Sequence, residues 1–440
     1  MKRLLITHIN QLVQVQDQPA GARPLFRAGA QMAQLPCLDN AWLLVEDGRI
    51  AGFGPMATCP TQSDSCPTQN DSWQQLDAAG GTVFPSFCDC HTHLVYAGSR
   101  EQEFVDKLHG LTYEQIAARG GGILNSAQRL HQTSEEALYQ QLLQRVHEVV
   151  GFGTGAVEIK SGYGLTVEDE LKMLRVIRRL QQQGPLAVKA TFLGAHAVPA
   201  AYKECPRDYV DLIINQMIPQ VAAADLAEYI DVFCEQGFFS VEDTERLFMA
   251  GLKYGLIPRV HANQMHFSGG VQVGVKYGAA TVDHLEHTGP EEWKALAATW
   301  ADVSATEYVP ANAGTMPVLL PGATFFLQMD YAPARAMLEQ GLPLALASNY
   351  NPGSCPAGDV RFMMSLACLY MKLTPEEALN AATLNGAYAM GLAEELGSIA
   401  VGKRAHFFIT KPIPSYAYLT YAFTSPLVDK VVLDGQIIEN

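Results

Sequence analysis

Basic residues are scarce in this chain. Lys and Arg number 30 against 45 Asp and Glu, a formal net charge of −15, and charged residues make up only 17%. That balance is a poor electrostatic match for a phosphate backbone or an anionic lipid surface, so neither nucleic acid nor a membrane is expected as a partner. Long apolar stretches are missing too: nowhere do 18 consecutive apolar residues occur, as a bilayer-spanning helix would need. The opening MKRLLITHINQLVQVQ is interrupted by His8, Asn10 and Gln11, and no small-residue cleavage site follows. Cysteines number nine, an odd count in 440 residues, which excludes a small disulfide-stapled scaffold. Several sit in apolar runs, such as Cys234 and Cys368, where a free thiol acts as a small hydrophobe. A reduced, cytoplasmic protein is expected.

What is present is ample apolar material, 48% of the residues, which rules out a disordered chain. Length alone suggests about three domains, but alternating strand–helix barrels run well past 200 residues as one unit. The two ends look alike. LLITHINQLVQV and AWLLVEDGRIAGFG near the start, and GSIAVGKRAHFFIT and DKVVLDGQIIEN near the end, read as short strands with D-G turns at Asp47-Gly48 and Asp434-Gly435. They predict a small β-sandwich domain formed from both termini, residues 1–80 and 396–440. Between the N-terminal strands and the centre, CPTQ occurs twice in a polar stretch; Cys59 and Cys66 lack a second ligand pair, and a surface loop is expected there.

The centre, residues 81–395, alternates short apolar runs with helical patterns. The runs are TVFPSFCDC, GAVEIKS, LAVKATFLGAH, YIDVFCE, IPRVHA, AATVDHLE, WADVSATE and LPLALASN. Between them lie SEEALYQQLLQRVHEVV, VEDELKMLRVIRRLQQQ, VEDTERLFMAGLKYG and YAPARAMLEQG, with Ser134 and Gly341 as helix boundaries. Eight strands buried on both faces, interleaved with helices, define a (β/α)8 barrel.

Reactive residues of such a barrel sit at the C-terminal ends of its strands. Strand one ends in His91-Thr92-His93, and an i, i+2 pair on a strand points both imidazoles to one face. Lys160 to Gly164, His196, Glu235, His261 with Gln264, Asp283-His284, and Asn349 to Ser354 end other strands. Taken singly, each has a structural explanation. Lys160 could pair with Glu158, Glu235 could accept structural hydrogen bonds, and the glycines Gly120 to Gly122 need be no more than a connection, since no phosphate-binding strand–helix turn surrounds them. Five histidines ending four different strands carry more weight than any one of them.

The strings DCHTHLVYAGSRE, EIKSGYGL, TFLGAHAVP, DVFCE, HANQ, DHLE and NPGS, in that order at strand ends, make the chain similar to the imidazolonepropionases, a family of the metal-dependent amidohydrolase superfamily. The resemblance implies hydrolysis of 4-imidazolone-5-propanoate to N-formimidoyl-L-glutamate in histidine degradation, by a cytoplasmic homodimer. It also implies one Zn or Fe ion per chain, held by His91, His93 and His261 with Asn349 beside it. Such an ion would activate water and polarise the carbonyl. His284 would polarise the carbonyl or orient the water, Arg100 would hold the substrate carboxylate, and Tyr163, His196, Gln264, Asn351, Gly353 and Ser354 would contact substrate. Tyr113 is a weaker candidate.

Two departures from the family pattern stand out. Asn349 replaces an aspartate that faces the metal, and Gln264 stands where Glu is often found. An amide cannot accept a proton near neutral pH. Either His284 shuttles the proton, or turnover is impaired, or the asparagine traps a bound ligand. Two other functions stay open: a heterocycle aminohydrolase, against which Gln264 counts, and a metal-containing binding protein without turnover. His406 replaces an acidic residue common in this superfamily and is expected only to pack.

Overall fold

The computed structural model describes residues 2–60, 72–111, 121–305 and 313–439. The expectations for Cys66, Tyr113 and Gly120 fall outside those residues. Two sheets organise the chain. The first is mixed and joins both termini: β1 (Lys2–Val13), β2 (Cys37–Glu46), β3 (Arg49–Pro55), β4 (Ser72–Asp77) and β5 (Thr82–Pro85) with the late strands β14 (Phe407–Thr410), β15 (Val428–Leu433) and β16 (Gln436–Ile438). It is one continuous sheet, branched where β1 pairs with both β4 and β5. Its core contains Leu4, Ile6, Leu43, Val45, Phe407 and Val432. Both D-G turns have positive φ at each residue, 45° and 81° at Asp47-Gly48, 47° and 73° at Asp434-Gly435, the conformation that matches strand twist in a two-residue hairpin.

The second sheet is the barrel. Its eight parallel strands run in chain order: β6 (Phe87–Thr92), β7 (Thr154–Lys160), β8 (Ala187–Ala195), β9 (Tyr229–Cys234), β10 (Ile257–Ala262), β11 (Thr281–His284), β12 (Met316–Leu319) and β13 (Ala345–Leu346). No ladder joins β13 to β6, but the chain beyond β13 closes the gap. The Asn349 N–H donates to the His91 carbonyl at 3.0 Å, and the His93 N–H donates to the Tyr350 carbonyl at 2.9 Å. Strands one and eight are thereby stitched together at the level of the histidines.

Two strands differ from expectation. TVFPSFCDC is divided at Ser86, with β5 in the small sheet and β6 in the barrel. Strand seven is not WADVSATE: residues 300–305 form the turn after the helix Pro290–Ala298, where the Trp300 indole donates to the Thr315 carbonyl. Strand seven is β12, whose Pro317 hides it from a pattern search because proline is depleted in strands. His406 packs as expected, its ring reaching the Gly155 carbonyl and the Asp434 carboxylate at 3.1 Å each, so it ties the small sheet to β7. Among the described residues, no helix is long and apolar enough to cross a membrane.

Candidate active site

His91, His93 and His261 converge at the mouth of the barrel, with one ring nitrogen of each lying within 4.8 Å of the others. All three are buried. Two are oriented by carboxylates from other strands: His91 Nδ1 lies 2.6 Å from Asp283 Oδ2 across the barrel, and His261 Nδ1 lies 3.1 Å from Asp231 Oδ2 on the adjacent strand. A carboxylate that accepts a hydrogen bond from Nδ1–H fixes the tautomer whose Nε2 lone pair faces inward. His91 Nε2 accordingly has no partner among the described residues, and His93 Nε2 faces His261 Nε2 at 3.4 Å. A tetrahedral ion with bonds of about 2.05 Å separates its ligand atoms by about 3.3 Å. Burial first, then the charge of Lys160 or a neighbouring histidine, holds His91 and His93 well below the usual imidazole range, so both are neutral as ligation requires. The donor set fits a cation.

Beneath the histidines is a fully buried charge network. Lys160 Nζ lies 3.0 Å from Glu158 and 2.9 Å from Asp231, and Arg259 reaches Glu158 at 3.3 Å. Three carboxylates, Glu158, Asp231 and Asp283, face two cations, Lys160 and Arg259, an excess of acidic over basic side chains that suits a bound metal ion. Burial pushes the Lys160 ammonium down, but Asp231 and Glu158 outweigh it and its pKa rises. Burial likewise pushes the Asp231 carboxyl up, and His261 with Lys160 pulls it below the usual range. Lys160 is thus a locked ammonium, the ion-pair partner that its spacing from Glu158 suggested.

His284 sits beside the cluster, its ring centroid 5.4 Å from that of His261 and 5.8 Å from that of His91. It and Leu285 hold φ of 85° and 68°, a left-handed conformation that non-glycine residues adopt uncommonly. Its Nδ1 lies 3.5 Å from the Glu286 carboxylate, which Thr324 Oγ1 bonds at 2.9 Å. His196 stacks on His93 with ring centroids 5.1 Å apart, and Tyr163 lies 5.3 Å from His196. Asn349 is buried with φ of 55°, and its carbonyl accepts from the Asn351 amide at 2.6 Å. That amide also bonds Ser354 Oγ, and Asn351 Oδ1 accepts the N–H groups of Gly353 and Ser354 at 2.8 Å each. The Asn351 side chain therefore builds the turn. Gly353 abuts Arg100: a Cβ there would collide with Nη1.

Some supports lie outside the sequence-derived set. Glu170 is fully buried and accepts the N–H groups of Gly162, Gly164 and Leu165 at 3.0, 2.7 and 2.9 Å. The Gly162 carbonyl in turn bonds His196 Nδ1 at 3.0 Å, so one carboxylate sets both Tyr163 and His196. Gly162 has φ of 108°, and a Cβ would come within 2.9 Å of His196 Nδ1. Glu235 proves to be the structural acceptor: it takes the N–H of Met265 at 2.9 Å and the ring of His266 at 3.1 Å, clamping the loop that carries Gln264. Replacing Glu170 by Ala strands three buried N–H groups, each costing about 1–3 kcal/mol. Urea unfolding of Glu170→Ala should show at least about 3 kcal/mol lost; an unchanged midpoint would mean that the loop finds other acceptors.

A buried histidine cluster at the mouth of a (β/α)8 barrel, backed by carboxylates and joined to a small terminal β domain, defines a metal hydrolase of the amidohydrolase class. Residues 82–438 match the family described as Amidohydrolase family. The chain is 52% identical over 435 residues to an imidazolonepropionase of Flavobacterium johnsoniae, covering 99% of both chains. It is 38% identical over 440 residues to one of Geobacillus kaustophilus, covering 100% of this chain and 99% of that one. It belongs to the imidazolonepropionase family. Solved structures with the same fold include the guanine deaminase of E. coli, with TM-score 0.71 and 12% identity over 99% of both chains, and that of C. acetobutylicum with bound guanine, with TM-score 0.68 and 15% identity over 99% of this chain and 100% of that one.

Proposed function

We propose that this site opens the imidazolone ring of 4-imidazolone-5-propanoate by hydrolysis, giving N-formimidoyl-L-glutamate in histidine degradation. The observation that carries the reading is the set of three converging imidazoles, two of them held by Asp283 and Asp231, in a chain of this family. A metal ion held by His91, His93 and His261 would supply a Lewis acid and an activated water. Three imidazoles suit Zn or Fe, one ion per chain.

The protein's own part is orientation and proton traffic. Asp283 and Asp231 keep the Nδ1 protons of His91 and His261 on the outer side. Arg100 holds the propanoate carboxylate, and Tyr163, His196 and Gln264 hold the ring, with the turn of Asn351, Gly353 and Ser354 closing over it. The Asn349 amide can hydrogen bond but cannot accept the proton of the attacking water. His284 is the group left to move it, from the water to the departing ring nitrogen. Burial of this pocket excludes bulk water from the reacting carbon. The family resemblance makes a cytoplasmic homodimer the expected working form.

The test combines elemental analysis with product detection. Purified protein should hold about one Zn or Fe per chain and release formimidoylglutamate without free ammonia. Chelation should stop turnover and added metal should restore it. Ammonia as the first product would favour a heterocycle aminohydrolase, and metal binding without turnover would leave a binding protein.

A further inference from the structure

Arg100 does not reach the substrate-binding turn unaided. It ends the loop that follows β6, immediately before the helix Glu101–Leu108, and a free arginine there would have many rotamers. Its Nε and Nη2 both donate to Glu103 Oε2, at 3.0 and 2.6 Å. The other oxygen, Glu103 Oε1, accepts the Gly122 N–H at 3.0 Å and the Asn125 amide at 3.2 Å. One carboxylate thus clamps the guanidinium to the start of a second helix, Ile123–His131. Glu103 is largely buried. Burial pushes its carboxyl up, but Arg100, Asn125 and Gly122 outweigh this, and its pKa falls.

A guanidinium has five N–H donors. Glu103 engages two, and the remaining edge carries Nη1, which is packed against Gly353. The charge of Arg100 also acts on Tyr163 and His196. The free edge therefore lies against the Asn351–Ser354 turn, with the fork geometry that a carboxylate takes in bidentate fashion.

We propose that Glu103 is a positioning residue that determines specificity for an acidic tail, by fixing Arg100 with its free edge toward Gly353. This rests on the reading of Arg100 as the substrate-carboxylate site. Two effects of Glu103 compete. Its negative charge weakens the attraction of Arg100 for a second carboxylate, while its two charge-assisted hydrogen bonds hold the fork in place. Orientation dominates, because a bidentate pair demands both position and plane, and because the charge of Glu103 is shared with two further donors.

The test uses the metal-loaded protein and two unreactive ligands, 3-(imidazol-4-yl)propanoate and its primary amide, with affinities read by calorimetry beside kcat and KM for the imidazolone substrate. Glu103→Ala should weaken acid binding and raise KM by about 10- to 100-fold, the range for hydrogen bonds to charged groups. Amide affinity should be unchanged and kcat altered by less than about threefold. Glu103→Gln, nearly the same shape and still offering an oxygen acceptor, should lie at or between the two. Equal losses for acid and amide would reduce Glu103 to a fold-supporting role and overturn the proposal, as would unchanged or tighter acid binding in Glu103→Ala. A wild-type protein that prefers acid to amide through Glu103 yet fails to turn over the imidazolone would sink the assigned reaction and leave this inference standing.

Discussion

His261→Ala should yield a folded protein that has lost its metal and at least about 10³-fold in kcat, since Lewis-acid activation is worth several kcal/mol. The fold should survive because the carboxylate left behind is not orphaned: Asp231 keeps Lys160 at 2.9 Å after its imidazole partner is gone. Removing one partner of a buried pair is most damaging when the other is left uncompensated, and here the network shares the charge. The loss should therefore appear in metal content first. Elemental analysis should give well under one ion per chain, and excess Zn or Fe should restore little activity. Retention of a full equivalent of metal by His261→Ala would place the ion somewhere other than among these histidines.

The barrel was legible because its strands are buried on both faces, so IPRVHA and YIDVFCE stand out as apolar runs and appear at Ile257–Ala262 and Tyr229–Cys234. Strand seven escaped notice because Met316–Leu319 is four residues long and contains proline. The three convergent histidines were readable from their positions at strand ends. Of their carboxylate supports, Asp283 stands at a strand end in the sequence, and Asp231 carries a usable signal: it is the one charged residue within the apolar run Tyr229–Cys234, and a lone charge on a doubly buried strand must find a partner inside. Glu170 offered no such signal. It lies in the acidic first turns of the helix Val167–Gln183, where a carboxylate normally reads as solvated, and only the return of the Gly162–Leu165 loop makes it a buried clamp. Glu103 is hidden in the same way by its place in an acidic first turn, Glu101–Leu108.

Asn349→Asp should raise kcat by about 10²- to 10⁴-fold, the usual share of a positioned acid–base group, while KM changes much less. The backbone tolerates the exchange: Asn and Asp are among the residues most often found at positive φ, here 55°, and the N–H bond to the His91 carbonyl at 3.0 Å is retained. What changes is the chemistry at one atom. An amide oxygen becomes a carboxylate that can take the proton from the attacking water and return it to the ring nitrogen, relieving His284 of that task. The added negative charge joins a buried set in which carboxylates already outnumber cations, so metal should also be held more tightly. The two effects separate experimentally. With metal saturating, a rise in kcat reports proton transfer alone, and the double variant Asn349→Asp, His284→Ala should retain much more activity than His284→Ala. An unchanged kcat in the aspartate variant would show that turnover is not limited at residue 349.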